Sequence, residues 1–155
     1  MSKAYLLAVF FLLSLHLSAQ KKNTVRWVSF NQLDDSLAVH PKKVLIDFYT
    51  DWCAYCRKMD KVVFTQPAVV ERLNTSYYSV RMDAESADTI FFEGQFFIND
   101  QLGKTRRPVH QLAQLLALNE GQFTPPVLII LDENFTIQKR YFQYLDSKKL
   151  LEALK

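Results

Sequence analysis

The chain has 155 residues, of which 49% are hydrophobic, 14% aromatic and 23% charged, with a formal net charge of +3 at pH 7. This length predicts one domain with a substantial core, and the low content of 3 glycines and 5 prolines excludes a long disordered or collagen-like chain. The positive charge is weak and dispersed, which argues against a nucleic-acid partner. We interpret the short basic cluster at residues 104–107 as a solvated loop.

The first residues have the pattern of an export signal. Lys3 supplies a positive charge, residues 4–15 form a hydrophobic run too short to span a bilayer, and Ala19 is a small residue suited to cleavage. We therefore predict a signal peptide at residues 1–19, one folded domain at residues 20–155, and a periplasmic or secreted protein. An uncleaved anchor helix is the alternative.

The rest of the chain alternates between strand-like and helix-like segments. The predicted strands are residues 24–30, 44–49, 77–83, 124–131 and 135–144, with a hairpin at residues 89–98 that turns at Glu93-Gly94. Predicted helices start after Ser29 or Asn31, at Cys53, at Pro67, near Val109 and at Ser147. The succession of strand, helix and strand across residues 44–83 implies a parallel pair of strands.

The two cysteines, Cys53 and Cys56, form one C-x-x-C motif directly after the buried strand 44–49. The pattern places Cys53 at a helix N-terminus, where free N–H groups and the helix dipole stabilise a thiolate. Cys56 follows one turn later, so it is able to close a disulfide or to attack a mixed disulfide at Cys53. The chain has no further cysteine for a stapling framework, which favours redox use over a structural bridge.

Other uses of the cysteine pair fit the sequence less well. A zinc site needs about four ligands, and after the leader only His40 and His110 remain as candidates, at unsuitable spacing. A c-type haem site needs a histidine where the chain has Arg57. We therefore predict no metal and no cofactor beyond the redox-active disulfide, although a Cu(I) carrier stays open as an alternative.

Asp47 is a carboxyl in the middle of an apolar strand. A buried carboxylate is unfavourable unless it is paired or functional, so Asp47 is a candidate for a raised pKa. An acid that is solvated or hydrogen-bonded at the strand edge is the alternative. Farther along, Pro125 and Pro126 mark the entry of a strand, because proline is tolerated only at its first residues or at a sheet edge.

Together these features resemble the thioredoxin superfamily. The resemblance rests on a strand with an internal acid, W-C-x-x-C at the next helix, a second parallel strand, and a proline that opens a strand with a hairpin return. It implies an α/β thioredoxin fold, a central mixed β-sheet flanked by helices, with a hairpin-plus-helix insertion at about residues 84–123. Residues 47–64 are most similar to exported members, including the C-terminal domain of the periplasmic thiol:disulfide interchange reductase and secreted Bacteroidetes-type proteins.

The resemblance implies roles for three catalytic residues. Cys53 is the exposed nucleophile, Cys56 the buried resolving thiol, and Asp47 the acid that exchanges a proton with Cys56. The residues implied to contact substrate are Trp52, Ala54, Tyr55, Thr124 and Pro125. Packing against the loop is the alternative for Trp52 and Tyr55, and we favour Pro125 over Pro126 as the cis-proline.

Several residues depart from the family pattern or lie in the insertion. The family's lysine near the buried acid aligns with Ser79, so Arg81 or Lys61 is expected to replace it. His110 is predicted to be a helix-surface or capping residue. The aromatic residues of the hairpin are predicted to be core rather than binding surface; they are Phe91, Phe92, Phe96 and Phe97.

The predicted function is an exported thiol:disulfide oxidoreductase that reduces protein disulfides through a mixed disulfide. Its expected partners are disulfide-containing exported proteins and a membrane or periplasmic thiol electron donor, and we expect a monomer. Reduction is favoured over oxidation only because of the resemblance to reducing exported domains. The alternatives are the Cu(I) carrier and a non-catalytic binding or chaperone module that uses the Phe-rich insertion.

Overall fold

A computed structural model describes residues 24–155, so the predicted signal peptide at residues 1–19 lies outside the described residues. The elements in chain order are β1 (Trp27–Val28), α1 (Phe30–Val39), β2 (Lys43–Tyr49), α2 (Ala54–Val62), α3 (Pro67–Ser76), β3 (Tyr77–Asp83), β4 (Ile90–Phe92), β5 (Gln95–Phe97), α4 (Gln111–Leu116), β6 (Val127–Leu131), β7 (Ile137–Tyr141) and α5 (Ser147–Ala153). Within this part of the chain, no helix is long and apolar enough to cross a membrane.

Five strands form one mixed sheet in the order β1-β3-β2-β6-β7. Strands β1, β3 and β2 are parallel, whereas β6 and β7 run antiparallel to their neighbours. This arrangement confirms the predicted thioredoxin fold. Phe48 near the end of β2 pairs with Val127 at the start of β6, so the loop after β2 and the segment before β6 meet at one edge of the sheet.

The sheet separates two cores because successive side chains of β2 point to opposite faces. Leu45 packs in one core with Met59 of α2 and with apolar residues of α3 and α5. Ile46 and Phe48 pack in the other core with apolar residues of α1, α4 and the hairpin. Residues two apart on β2 therefore share a face, which places Asp47 on the same side as Leu45 and helix α2.

Helix α1 begins directly after Ser29, one of the two predicted starts, and thereby shortens the first strand. Ser29 caps this helix: its side chain accepts a hydrogen bond from the Gln32 N–H, while the Gln32 side chain accepts one from the Ser29 N–H. This reciprocal capping box satisfies two free N–H groups and ends the extended segment at Val28. Strand β1 is therefore limited to Trp27–Val28 instead of residues 24–30.

The insertion contains the predicted hairpin, but its aromatic residues are not all core. Phe92 is buried against Phe30, with 5.2 Å between ring centroids, whereas Phe91 and Phe96 pair on the opposite face and are 42% and 73% exposed. The prediction that the hairpin aromatics are core is therefore wrong for Phe91 and Phe96. The period-2 alternation of a two-stranded ribbon leaves only one of its faces against the domain.

Buried polar groups connect distant segments of the insertion to one another. His110 is fully buried and caps α4, so the capping prediction is confirmed and the helix-surface alternative is wrong. The His110 N–H donates to the Ala84 carbonyl oxygen at 2.8 Å. The Asn99 side-chain amide donates to the carbonyl oxygens of Ser86 and Pro108, each at 3.1 Å. These bonds connect residues 84–86, at the start of the insertion, to residues 108–110, directly before α4.

Candidate active site

The cysteine pair lies where β2 leads into α2. The Cys53 N–H donates to the carbonyl oxygen of Thr50 at 3.1 Å, which closes the turn after the strand. Cys53 is the N-cap of α2 and forms a disulfide with Cys56, with an S–S distance of 2.02 Å. The Cys53 Sγ accepts a hydrogen bond from the Cys56 N–H at 3.0 Å. In the reduced protein this N–H and the helix dipole would stabilise a Cys53 thiolate.

The side chains around the disulfide are more exposed than the cysteines. Cys53 and Cys56 are each 3% exposed, so the expected greater exposure of Cys53 is not observed in the disulfide form. Trp52 and Tyr55, by contrast, are 43% and 60% exposed, and Ala54 is also exposed. Both rings are therefore accessible beside the disulfide, although the Tyr55 ring also lies 5.9 Å from the Tyr144 ring, and substrate contact by Trp52 and Tyr55 stays a prediction.

Asp47 is a buried acid on the α2 side of the sheet. It is 2% exposed, which excludes the alternative of a solvated strand-edge carboxylate. Burial raises the pKa of Asp47 from 3.8 to about 7, with a further upward effect from Asp60, while the positive charge of Arg81 opposes the rise. A carboxyl group with this pKa is able to accept or release a proton near neutral pH.

Arg81 is the cation beside Asp47. The parallel register places Arg81 next to Asp47, and its Nε lies 3.5 Å from the Asp47 Oδ2. Its Nη2 donates to the Oδ2 of Asp60 on α2 at 2.6 Å, and its guanidinium lies 4.3 Å from the centroid of the Tyr49 ring. Arg81 is therefore held by three groups and links the cysteine helix to the sheet.

The other positions considered for this cation do not contact Asp47. Ser79 is the register neighbour of Leu45 and not of Asp47, and its buried hydroxyl has no hydrogen-bond partner within residues 24–155. Lys61 is exposed on α2. Of the two expected replacements for the family's lysine, Arg81 is the one that the structure places beside the acid.

The cis peptide bond lies between Pro125 and Pro126, so the preference for Pro125 as the cis residue is wrong. Pro126 is buried and directly precedes β6, whereas Pro125 is half-buried and Thr124 is exposed. Because Val127 pairs with Phe48, Pro126 lies at the sheet edge where the cysteine loop begins. The sequence pattern of a strand that opens with proline fits Pro125 and Pro126 equally well. In the structure the cis residue is Pro126, the one directly before β6.

Trp52 is held on two sides by residues that the sequence analysis did not assign to the site. Its indole N–H donates to the Oε1 of Glu85 at 2.9 Å, and the guanidinium carbon of Arg107 lies 3.9 Å from its ring centroid. Asp60 was also missed, although it lies four residues after Cys56 and therefore on the same face of α2. The sequence around Arg107 does not indicate its position near Trp52, because only the folding of the insertion brings these two distant residues together.

A cleft of about 440 Å³ opens beside the site and is lined by residues that include Arg81, Tyr49 and Asp83. Burial raises the pKa of the Asp83 carboxyl. Arg81 lines this cleft but Asp47 does not, so the cleft gives solvent access to the Arg81 side chain and not to the Asp47 carboxyl. Within residues 24–155, no group of three or more His, Cys, Asp or Glu side chains is arranged to hold a metal ion.

The sheet order, the cis-proline at its edge and the disulfide at the N-terminus of α2 define a thioredoxin-fold protein with a vicinal cysteine pair. A family model described as thioredoxin-like matches residues 26–132. The chain therefore belongs to the thioredoxin-like family.

The chain is also similar to segments of larger proteins. The thiol:disulfide interchange protein DsbD of Haemophilus ducreyi is 36% identical over 62 residues, which cover 39% of this chain and 11% of that protein. DsbD of Pseudomonas fluorescens is 49% identical over 39 residues, covering 25% of this chain and 7% of that protein. The chain thus spans roughly a tenth of the length of these curated relatives.

Solved structures with the same fold come from several bacteria. A thioredoxin from Thermus thermophilus superposes with a TM-score of 0.59 at 18% identity, covering 84% of this chain and 85% of that one. The oxidised C-terminal domain of DsbD from Neisseria meningitidis superposes with a TM-score of 0.52 at 22% identity, covering 79% and 86% of the two chains. At these identities the structures establish the fold.

Proposed function

We propose that this protein is an exported thiol:disulfide oxidoreductase that reduces disulfide bonds in other proteins. The observation that carries the proposal is the vicinal pair Cys53 and Cys56 at the N-terminus of α2 in a thioredoxin fold. Family membership and the similarity to thiol:disulfide interchange proteins support thiol–disulfide oxidoreductase chemistry in general. The reducing direction and the export through residues 1–19 belong to the proposal.

The reaction begins from the dithiol form. The Cys53 thiolate attacks one sulfur of a substrate disulfide, forms a mixed disulfide and displaces a substrate thiolate, which takes up a proton. Cys56 loses its proton to Asp47 and attacks the Cys53 sulfur, which releases the second substrate thiolate and forms the Cys53–Cys56 disulfide. The substrate gains two electrons. A membrane or periplasmic thiol donor then reduces the protein disulfide, and no further cofactor is required.

A hydrogen bond to the Cys53 sulfur, the raised pKa of Asp47 and the exposed residues around the disulfide support these steps. The Cys56 N–H that donates to the Cys53 Sγ remains available to the thiolate after reduction. Asp47 has a pKa raised to about 7, so at neutral pH a large fraction of it is ionised and able to accept a proton. The exposed Trp52 and Tyr55 flank the disulfide, and Thr124 with Pro125 and Pro126 supplies backbone at the same sheet edge.

Reduction of insulin disulfides by dithiothreitol tests the activity. We expect the wild-type protein to accelerate the reaction and Cys53→Ala to fall to the uncatalysed rate, because the attacking thiolate is lost. Cys56→Ala should accumulate mixed disulfides that non-reducing electrophoresis detects, because the resolving thiol is absent. Equal rates for wild type and Cys53→Ala above background would overturn the proposal.

The direction needs a separate measurement. Equilibration of the Cys53/Cys56 couple with glutathione gives its reduction potential. A value near about −270 mV would agree with a reductase, whereas one near about −120 mV would show an oxidant.

The exposed aromatic pair of the hairpin favours a second candidate function, a binding module for unfolded protein. Phe91 and Phe96 lie 5.0 Å apart between ring centroids and are 42% and 73% exposed. Exposed apolar clusters of this kind are typical of interaction surfaces. In this function the cysteines are dispensable.

The insulin assay separates the two functions because they change its turbidity in opposite directions. A reductase shortens the lag before the insulin B chain precipitates, whereas a binding module at equimolar amounts lengthens it. If the protein is a binding module, Cys53→Ala should still lengthen the lag, because the cysteines are not needed. Phe96→Ser should abolish this lengthening of the lag. Leu115→Ser is the matched control, since Leu115 is a 66% exposed apolar residue on α4. A Cys53→Ala protein without effect on the lag would eliminate this candidate.

A further inference from the structure

The insertion reaches the cysteine site through its basic loop, residues 104–107. The guanidinium carbon of Arg107 lies 3.9 Å from the centroid of the Trp52 ring, within the range of a cation–π contact. Trp52 immediately precedes Cys53 in the chain. Lys104 and Arg106 of the same loop are exposed. Arg107 therefore lies beside the cysteine site, whereas the other basic residues of the loop are exposed to solvent, as predicted.

Arg107 is held in place without neutralisation of its charge. Among residues 24–155, the carboxylates that form ion pairs do so with Arg81 and Lys155, and no side-chain hydrogen bond of Arg107 is present. The Trp52 ring is itself fixed by its hydrogen bond to Glu85. The guanidinium is thus positioned by an aromatic face while its N–H donors stay available, an arrangement suited to bidentate binding of a carboxylate.

Two further exposed cations, Arg57 and Lys58, lie on α2 close to the cysteines in the chain. Arg57 is exposed, and its Nη1 donates to the Asp51 carbonyl oxygen at 2.5 Å. The Nζ of Lys58 lies 4.8 Å from the centroid of the Tyr144 ring. In the described part of the chain neither cation forms an ion pair with a carboxylate. Acids are present as well, since Asp51 is exposed, Asp83 is half-buried, and the half-buried Glu85 accepts from the Trp52 indole N–H. A preference for acidic substrates therefore depends on the placement of Arg107 beside Trp52 and not on an excess of positive charge around the site.

We infer that Arg107 is a specificity residue that selects substrates with acidic side chains beside their disulfide. The inference rests on the proposed function and deepens it by naming a substrate class. A carboxylate next to the substrate cystine would meet Arg107 when the substrate sulfur approaches Cys53, because Trp52 links the two. Attraction between opposite charges raises the rate of encounter and lowers the rate of escape, and the dithiol chemistry itself is unchanged.

The test compares three synthetic peptides that each contain one intramolecular disulfide. The residues flanking the cystine are aspartates in the first peptide, asparagines in the second and lysines in the third. Single-turnover oxidation of the reduced full-length protein is followed by the change in tryptophan fluorescence or by quenched chromatography. The variants are Arg107→Gln, Arg107→Lys, and Arg72→Gln as a charge-matched control at an exposed position on α3.

We expect the aspartate peptide to react about five- to tenfold faster than the asparagine peptide at low ionic strength, with the lysine peptide slowest. The ratio of the aspartate-peptide rate to the asparagine-peptide rate should fall towards one at about 0.5 M salt, because dissolved ions screen exposed charges. Arg107→Gln should bring the ratio of the aspartate rate to the asparagine rate close to one. Arg107→Lys should retain part of the preference, and Arg72→Gln should retain all of it.

The outcomes separate this inference from the proposed function. If all three peptides oxidise the protein at equal rates, the inference fails and the oxidoreductase function stands. If Arg107→Gln slows all peptides alike, Arg107 only supports Trp52 and the inference also fails. If no peptide oxidises the protein while Cys53 is shown to be reduced by thiol titration, the proposed function itself fails.

Discussion

At the scale of single residues, the protonation of Asp47 is decided by opposing effects, of which burial is the largest. Burial stabilises the neutral acid and raises its pKa, the charge of Arg81 stabilises the ionised form, and Asp60 destabilises it. Arg81 is shared, since its short hydrogen bond goes to Asp60 and its longer contact goes to Asp47. Burial therefore prevails, and Asp47 changes its protonation close to pH 7 rather than near pH 4.

This shift predicts a dependence of stability on pH that Asp47→Asn should remove. A carboxyl whose pKa rises from 3.8 to about 7 on folding contributes stability that is fully present below pH 3.8 and is lost as the pH rises through 7. Asparagine resembles the neutral acid, so we expect Asp47→Asn to be more stable than wild type at pH 8, by up to about 4 kcal/mol. At pH 5 the gain should be about 1.6 kcal/mol, because the loss accumulates at about 1.4 kcal/mol per pH unit above 3.8. Urea unfolding of the oxidised protein at both pH values measures it.

The exposed Asp35 on α1 provides the control for this comparison. Asp35→Asn removes the same charge without removing a buried group, so its free energy of unfolding should follow the wild-type pH dependence. If Asp47→Asn and wild type showed the same difference between pH 5 and pH 8, the raised pKa of Asp47 would be contradicted.

At the scale of elements, the hairpin that carries the exposed aromatic pair depends on its two turn residues. Glu93 and Gly94 both have positive φ, 52° and 71°, as a type I′ turn requires. Glycine is suited to this backbone, whereas glutamate is not, because its Cβ crowds the following carbonyl. The hairpin therefore contains one favourable and one unfavourable turn residue.

Substitutions at the two turn positions should act in opposite directions. Glu93→Asn should stabilise the protein by about 0.5 kcal/mol, because asparagine tolerates the left-handed region and favours this turn. Gly94→Ala should destabilise it by about 1 kcal/mol through backbone strain alone, since a Cβ at residue 94 meets no atom within 4 Å. Gln95→Ala, at the exposed first residue of β5, is the control. Thermal unfolding measures all three, and a Gly94→Ala protein as stable as wild type would contradict the assigned turn.

Elements with strong local signals were predictable from the sequence, whereas contacts set by register were not. The apolar run of β2, the C-x-x-C at a helix start and the Glu93-Gly94 turn each follow from a few adjacent residues. The sequence left Arg81 and Lys61 as candidates for the cation beside Asp47, because the choice depends on how β3 is aligned with β2. The observed register pairs Arg81 with Asp47. The face that Phe91 presents depends likewise on packing between elements that are distant in the chain.

At the scale of the whole molecule, a buried histidine connects the segment before α4 to the start of the insertion, where the Ala84 N–H donates to the Tyr49 carbonyl oxygen of β2 at 2.8 Å. The Nδ1 of His110 accepts from the Leu112 N–H at 3.2 Å, so its Nε2 carries the proton and donates to the Asp88 carbonyl oxygen at 3.1 Å. A doubly protonated imidazole has no acceptor and loses the first of these bonds. Burial accordingly lowers the pKa of His110, although the nearby charges of Asp88 and Asp100 oppose the shift.

The insertion should therefore loosen in mild acid, and His110→Asn should reduce this effect. A histidine whose pKa falls below 6.5 on folding contributes stability that is present above pH 6.5 and is lost as the pH falls through its folded value, opposite in sign to Asp47. Asparagine is a preferred N-cap without a titrating ring, so the variant should lose stability through reduced packing but show a flatter pH dependence below 6.5.

His40→Asn, at the exposed end of α1, is the control and should keep the wild-type slope. Hydrogen exchange of the Leu112 and Ala113 amides between pH 7 and pH 5, corrected for the intrinsic rate, locates the effect. Wild-type protection of these amides that does not change over this range would contradict the role of His110.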